Sequence, residues 1–421
     1  MSKFRLAPVW AFTLVAVTAL AVACSNGGPP PVDVAPTATT ARAAATPAGQ
    51  ASAQSTPTQQ AGPLPTPVAA GTPLPADAYG PAPELAGTGE WLNSEPFTLA
   101  SQRGKVVLVD FWTYTCINCL RTLPYLKDWH GRYADKGLVI LGVHTPEFDF
   151  EKYIDNVSRA VNDLGIEYPV VQDNGYATWQ AFSNQYWPAK YMIDKDGLVR
   201  YVHFGEGAYE ETEQYIRKLL AEVYASVNEV PVVPKPDPEV DPLAMPDNVL
   251  LALTRELYAG YRRNDSAVRF GNPPYIVQPE FYENPLMAAT YKDPGDHSNH
   301  FIYVQGEWET TDEYLRHARA TQNYEDYVAI KFYANEVNVV LGLHFGGQYD
   351  VKVAIDGVPL KREEAGTAIK WDQDGNSYLT VTTEDMYHIV DLESYQGREL
   401  RLSSNADNFS VFAFTFGAYM Q

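Results

Sequence analysis

The hydrophobic pattern of residues 106–129 changes from a strand period to a helix period. Val106–Val109 is an apolar, largely β-branched run, which is typical of a strand that is buried on both faces. Further along, Leu123, Leu126 and Trp129 recur at three-residue steps and therefore share one face of a helix. The pattern predicts a strand that leads directly into an amphipathic helix.

Strand and helix patterns alternate throughout residues 86–227. They predict a mostly parallel or mixed sheet that is covered by helices, with a hairpin turn at Asp196-Gly197. The predicted strands are 138–143, 168–171, 190–193 and 198–203, and the predicted helices are 150–164, 178–182 and 210–224. This stretch is expected to form one α/β domain.

Residues 249–421 have a different pattern, in which many short alternating stretches are separated by Gly, Asn and Asp turns. We expect an all-β domain here, an antiparallel sandwich of the jelly-roll type. Residues 372–376 have calcium-like chemistry but lack the spacing of an EF-hand, and we interpret them as a hairpin turn. The predicted strands are 301–308, 327–334, 336–343, 349–355, 378–382, 387–391, 399–403 and 409–416. Residues 228–248, rich in proline and acidic residues, are the predicted linker.

Two cysteines, Cys116 and Cys119, lie where the central strand passes into the helix. Unpaired N–H groups and the helix dipole stabilise a thiolate at that position, so Cys116 is expected to have a lowered pKa and to be the nucleophile. Cys119 is then placed to resolve the mixed disulfide that Cys116 forms. The alternatives are half of a zinc site, for which no further cysteine pair remains, and an inert structural disulfide.

The segment from Val109 to Pro124, with Asp-Phe-Trp before the cysteine pair, resembles the active-site segment of the thioredoxin family. This resemblance implies that Asp110 is buried behind the cysteines and handles protons, with a raised pKa. It also implies that Pro188 is a cis-proline that faces the cysteines and helps to hold the substrate backbone. The alternatives are a solvated carboxylate for Asp110 and an ordinary loop proline for Pro188.

Four further residues are expected to lie around the cysteines. Trp112 and Trp187 flank the predicted active-site residues in the sequence, and Glu147 and Glu206 lie in loops from which they can face the cysteines as proton-handling groups. For both glutamates a solvated loop charge is the simpler interpretation.

The first 85 residues are expected to contain an export signal followed by a tether. Lys3 and Arg5 precede a long apolar run, which predicts a signal peptide over residues 1–23. The junction at Cys24 resembles a bacterial lipoprotein processing site, so we expect lipidation of Cys24, with a soluble secreted form or a retained membrane anchor as alternatives. Residues 24–85, rich in Pro, Ala and Thr, are the predicted disordered tether.

The net charge of −21 argues against nucleic acid or an anionic membrane face as a partner. The chain has 3 cysteines, and one at the anchor and two at the active site leave none for a structural disulfide. Together with the predicted export signal and lipidation of Cys24, these features lead us to expect an extracytoplasmic, membrane-anchored lipoprotein of the cell envelope.

A closer resemblance rests on four stretches, FWTYTCINCLRTLP, GVHTPEF, YWPAKYMIDKDG and HFGEGAY. Together they are similar to the thioredoxin-like C-terminal region of DipZ-type cytochrome c biogenesis proteins, which belong with the reducing thioredoxins of the TlpA and ResA type. The resemblance implies a CcdA-like membrane electron donor. It also implies that the β domain is like a carbohydrate-binding module, with a glycan site or else a structural or partner-docking role.

The sequence thus predicts a thiol-disulfide oxidoreductase that needs no cofactor beyond the Cys116–Cys119 redox-active disulfide. Protein thiols and disulfides are the expected substrates, and the resemblance implies reduction of apocytochrome c or other exported proteins. The alternatives are a disulfide-forming oxidant, a thiol peroxidase, a surface glycan-binding protein with a secondary redox domain, and a metal carrier, which two thiolates alone support poorly.

Overall fold

The structure is a computed structural model that describes residues 78–232, 253–343 and 346–417. The predicted signal peptide, Cys24 and most of the predicted tether and linker lie outside these residues. Within them, no helix combines the length and the apolar character needed to cross a membrane. We call residues 78–232 the α/β half and residues 253–417 the β half.

The α/β half is built on a mixed sheet with seven strands among the described residues, in the order β1-β7-β6-β3-β4-β5-β2. Strands β3, β4 and β5 run parallel, whereas β6 and β7 form the antiparallel hairpin. The central strand β3 is buried at all seven positions, as its apolar run predicts. The strands are β1 (Gly80–Pro81), β2 (Trp91–Leu92), β3 (Val106–Trp112), β4 (Leu138–His144), β5 (Val170–Gln172), β6 (Ala189–Ile193) and β7 (Leu198–Phe204).

Helices cover both sides of this sheet and bury their apolar stripes against it. The α-helices are α1 (Ile117–Tyr133), α2 (Ile154–Asp163), α3 (Ala177–Ala181) and α4 (Tyr209–Ala221). Short 3-10 turns are Leu99–Gln102, Ala134–Lys136, Asp149–Lys152 and Ala225–Glu229. The thioredoxin-like α/β prediction is confirmed.

The folded α/β half begins before residue 86, so the predicted boundary of the tether is wrong. Gly80 and Pro81 pair with β7 at the edge of the sheet, and the Glu84 carboxylate accepts the N–H groups of Leu99 and Ala100. Proline is tolerated on an edge strand because its missing N–H leaves no internal partner unpaired. The Pro- and Ala-rich composition of residues 24–85 predicted disorder, so this short strand was not recognised.

The β half contains an antiparallel sheet with 11 strands among the described residues, which confirms the all-β prediction. The jelly-roll topology stays a prediction. The strands are β8 (Leu257–Tyr258), β9 (Ala288–Tyr291), β10 (Ile302–Thr310), β11 (Leu315–His317), β12 (Tyr327–Leu343), β13 (Tyr349–Ile355), β14 (Val358–Pro359), β15 (Lys370–Trp371), β16 (Ser377–Val381), β17 (Asp385–Ser403) and β18 (Phe409–Gly417), and the helices are α5 (Tyr261–Arg269) and α6 (Pro279–Glu283). Asp372 accepts the N–H groups of Asp374 and Asn376 in the turn between β15 and β16, as the hairpin interpretation requires.

Two predicted pairs of strands are single long strands. β12 joins the predicted strands 327–334 and 336–343, and β17 joins 387–391 and 399–403. The pairing of β12 with β17 shifts register between Ala334 and Glu336, as at a β-bulge. A bulge inverts the alternation of side chains without ending the strand, so the pattern suggested a break where there is none.

The two halves belong to one compact unit and share a hydrophobic core. The Phe412 ring of β18 meets Phe148 and Phe150 at centroid distances of 5.2 and 5.0 Å. Arg159 of α2 pairs with Asp385 of β17 at 2.8 Å. The β half therefore packs against the loops at the end of the sheet that carries the cysteines.

Candidate active site

The cysteine pair lies at the beginning of α1. Cys116 is the N-cap residue of this helix, and its Sγ accepts the N–H of Cys119 at 3.2 Å. Both cysteines are free thiols; Cys116 is partly exposed, and Cys119 is buried with 1% of its surface exposed. Only the first sulfur can therefore meet a substrate disulfide from solution, while the second is held behind it.

The expected lowering of the Cys116 pKa is wrong. Burial raises the pKa of this thiol, and the hydrogen bond from Cys119 opposes that effect without cancelling it. The pKa of Cys119 is raised further, again chiefly by burial. Cys116 is still the more easily ionised of the two thiols, so the assignment of nucleophile and resolving cysteine stands as a prediction with a different physical basis.

Asp110 lies in β3 with 1% of its surface exposed. Burial raises its pKa to about 7, and the charge of Lys190 opposes this shift. Its Oδ1 atom has no hydrogen-bond partner among the described residues, and its charge acts on the thiol of Cys119. A buried carboxyl that titrates near neutral pH can take up and return the proton of the resolving cysteine.

Lys190 is a site residue that the sequence analysis missed. It pairs in register with Asp110 on the neighbouring strand β6, which places both side chains on one face of the sheet. Lys190 is fully buried, and burial lowers its pKa while the Asp110 charge raises it. A lysine in an otherwise apolar strand directly after Pro188 was the signal that could have revealed it.

The loop before β6 contains a cis peptide bond between Trp187 and Pro188. The Pro188 carbonyl accepts the N–H of Gly205 at 2.8 Å, and the Trp187 indole donates to the Thr145 carbonyl at 3.0 Å. Ala189, the next residue, pairs with Phe111 of β3. These contacts fix the loop beside the strand that leads to the cysteines.

Trp112 is fully buried at the end of β3, four residues before Cys116. Its ring contacts His144 edge to face at a centroid distance of 5.3 Å. The ring thus forms part of the floor of the site rather than its exposed rim.

Glu147 and Glu206 both lie near the cysteine pair. Glu147 Oε1 accepts hydrogen bonds from Arg263 at 2.6 Å and from the Tyr258 hydroxyl at 3.0 Å. Burial raises the Glu147 pKa to about 7, with the Arg263 charge as the main opposing effect. Glu206 Oε1 lies 3.7 Å from Arg121, which follows Cys119 by two residues on α1. The solvated-loop interpretation does not describe Glu147.

Three residues around Glu147 and Cys116 come from the β half, and no local pattern in the sequence indicates them. Tyr258 and Arg263 contact Glu147. The charge of Glu256 and the charge of Glu147 both raise the pKa of Cys116. Their role depends on the packing of two halves that are distant in the sequence, which no periodicity or motif reports.

The loop that precedes Cys116 is fixed by Glu151. The hydroxyls of Thr113 and Thr115 donate to its Oε1 at 2.5 and 2.6 Å, and the N–H groups of Glu147 and Phe148 donate to its Oε2 at 2.5 and 3.0 Å. Four hydrogen bonds on a buried carboxylate tie the two active-site loops together. Glu151 was also missed, because it falls within a segment that reads as an amphipathic helix.

The arrangement is suited to dithiol exchange. It combines a reachable thiol, a second thiol one helical turn further in, and a buried acid that titrates near neutral pH. Within the described residues, no group of three or more His, Cys, Asp or Glu side chains is placed to hold a metal ion.

Comparisons with known proteins agree with this chemistry. Residues 80–202 match the family described as the AhpC/TSA family, and residues 254–417 match the family described as the thioredoxin like C-terminal domain. The chain is 38% identical over 287 residues to the protein DipZ of Mycobacterium tuberculosis. These aligned residues cover 67% of this chain and 37% of DipZ. The chain thus spans well under half the length of that relative.

Two shorter relatives are covered more fully. The thiol-disulfide oxidoreductase YkuV of Bacillus subtilis is 30% identical over 142 residues, which cover 34% of this chain and 95% of YkuV. The thiol-disulfide oxidoreductase ResA of Bacillus thuringiensis is 30% identical over 128 residues, which cover 30% of this chain and 71% of ResA.

Proposed function

Because the chain belongs to the thioredoxin-like thiol-disulfide oxidoreductases, we propose that it reduces disulfides in exported proteins, apocytochrome c among them, outside the cytoplasm. The observation that carries the proposal is the pairing of a partly exposed Cys116 with a buried Cys119 above a carboxyl whose pKa is about 7. This pairing supplies an attacking thiol, a resolving thiol and a proton acceptor.

The reaction has two exchanges. The Cys116 thiolate attacks one sulfur of the substrate disulfide, so a mixed disulfide forms and the other substrate sulfur leaves as a thiolate. Cys119 then loses its proton to Asp110 and attacks the Cys116 sulfur, which releases the second substrate thiol. The substrate gains two electrons, and the enzyme is left with a Cys116–Cys119 disulfide.

The thiol pKa supports the reducing direction. A dithiol oxidoreductase is a strong oxidant when its reduced form is stabilised relative to its disulfide form. Here burial raises the pKa of both Cys116 and Cys119, so the reduced pair gains no stabilisation from a thiolate at neutral pH. We propose that electrons for the next cycle come from a CcdA-like membrane donor and that lipidated Cys24 holds the enzyme at the cell envelope.

The test is insulin reduction by the full chain, together with trapping of the mixed disulfide. We expect Cys116→Ser to abolish reduction and Cys119→Ser to accumulate a covalent complex with the substrate. Unchanged reduction by Cys116→Ser would exclude the mechanism.

A second candidate function is glycan binding by the β half. A cleft of about 400 Å³ lies where the two halves meet and is lined by the rings of Tyr153, Tyr314 and Phe412 and by the carboxylates of Glu313 and Glu384. Aromatic faces with nearby carboxylates suit a sugar. Binding of a glycan array by the full chain, weakened in Tyr153→Ala, is the expected result, and equal binding by the variant would refute this site.

A further inference from the structure

The β half reaches the cysteine site through the segment 256–263. Tyr258 lies in β8, which pairs with β18 through the register Tyr258 to Ala413. Its ring lies 4.4 Å from the Arg263 guanidinium and 5.4 Å from the Tyr275 ring, and 9% of its surface is exposed. Sheet pairing and ring contacts therefore hold the Tyr258 hydroxyl in one place beside the active-site loops.

This hydroxyl lies between two carboxylates from different halves. Its oxygen is 3.0 Å from Glu147 Oε1 and 2.9 Å from Glu256 Oε2. A phenol has one hydrogen to donate, and a charged carboxylate has none. Both contacts are therefore satisfied only when one of the carboxyl groups carries a proton. The chain of three oxygens is built to hold an additional proton.

The same two carboxylates act on the nucleophile. After burial itself, the charges of Glu256 and Glu147 are among the causes that raise the pKa of Cys116. A proton held between the carboxylates removes one of these charges and makes the Cys116 thiolate easier to form.

We propose that Glu147, Tyr258 and Glu256 form a shared proton site across the two halves, and that its occupancy sets the fraction of Cys116 that is thiolate at neutral pH. They are positioning residues, since they act through Cys116 and not on the substrate. The inference rests on the thiol chemistry of Cys116 and is independent of the direction of electron flow.

The surroundings of Glu147 place this proton site near neutral pH. Arg263, Tyr258 and Glu256 face it from the β half, and Glu151 and Tyr176 face it from the α/β half. Burial raises the Glu147 pKa to about 7. As the pH rises through 7 the site loses its proton, a negative charge appears beside Cys116, and the thiol becomes harder to ionise. The ionisation of Cys116 is then spread over a wider pH range than that of an isolated thiol.

The test is the pH dependence of Cys116 alkylation by iodoacetamide in the reduced full chain, with the modified peptide identified by mass. For the unaltered protein we expect a profile with an inflection near pH 7 before the main rise. Glu147→Gln should remove the inflection. Glu256→Gln should move the inflection to lower pH, because the Glu256 charge helps to raise the Glu147 pKa. It should also raise the thiolate fraction at neutral pH by about threefold, since one like charge is lost.

The matched control is Glu309→Gln. Glu309 lies in β10 of the β half, where its Oε2 accepts hydrogen bonds from Arg316, and it has no contact with Tyr258 among the bonds of the described residues. It should leave the profile unchanged. Glu256 is exposed, so its variant tests the proposal even if Glu147→Gln fails to fold. Single-step profiles with the same midpoint in the unaltered protein and in Glu256→Gln would overturn the proposal.

Discussion

Replacing Asp110 by asparagine should stabilise the reduced protein at neutral and alkaline pH. Burial raises the Asp110 pKa from 3.8 to about 7 in the folded protein. As the pH rises between these values, the unfolded chain loses this proton while the folded protein keeps it, so stability falls. At about 1.4 kcal/mol per pKa unit, the loss reaches about 4 kcal/mol above pH 7.

Asparagine has no charge to bury, so the variant should lack this loss. The gain is at most about 4 kcal/mol, because Lys190 loses its counter-charge in the variant. The assay is urea unfolding of the reduced full chain at about pH 4 and about pH 8, where the Asp110 carboxyl is mostly protonated and mostly charged in the folded protein. We expect similar stabilities for both proteins at the lower pH and a more stable variant at the higher pH.

The control is Asp135→Asn, whose side chain is 74% exposed at the end of α1. A surface change of this kind should stay within about 0.5 kcal/mol of the unaltered protein at both pH values. If Asp110→Asn and the unaltered protein lose stability equally between the two pH values, Asp110 is not buried with a raised pKa, and its assignment as the proton acceptor fails with it.

Three further substitutions test the active site and the junction of the halves. Lys190→Met should raise the Asp110 pKa further, because the lysine charge opposes the upward shift. The pH profile of mixed-disulfide resolution should then move to higher pH, and an unchanged profile in stopped-flow measurements would contradict this. Phe412→Ala should lower the free energy of unfolding by about 3 to 4 kcal/mol, because a buried ring is lost from the shared core. A decrease below about 1 kcal/mol would show that the ring is not packed there. A double-mutant cycle of Arg159→Ala and Asp385→Asn should give a coupling of about 0.5 to 1 kcal/mol for this partly exposed pair, whereas zero coupling would mean that the pair does not stabilise the junction.

Local patterns predicted the α/β half well, because its elements follow from short-range periodicity and from a motif of a few residues. The cysteine pair, Asp110 and Pro188 all lie within or beside β3 and β6, where sequence order and spatial order agree. The long strand β17 shows where this reasoning ends. The pattern predicted two separate strands, 387–391 and 399–403, but Gly397 lies within one continuous strand. A Cβ there would lie 2.5 Å from the Tyr333 ring, so glycine allows close packing at this position.

The raised pKa of Asp110 was expected from the sequence, whereas the raised pKa of Cys116 was not. The helix N-terminus indicated a low pKa for Cys116, but the structure adds burial and the charges of Glu147 and Glu256, which raise it. These contributions come from packing between residues distant in the chain. Lys190 was missed for a related reason, since its partner across the sheet lies on a different strand.

We propose that this enzyme is a reductant, and the redox midpoint of the Cys116–Cys119 pair decides between reduction and oxidation of its substrates. The full chain would be equilibrated with thiol buffers of defined potential, and free thiols would be trapped and counted. For a reductant we expect a value of about −270 mV or lower, as in thioredoxin. A value near about −120 mV, as in strong disulfide-forming oxidants, would contradict it.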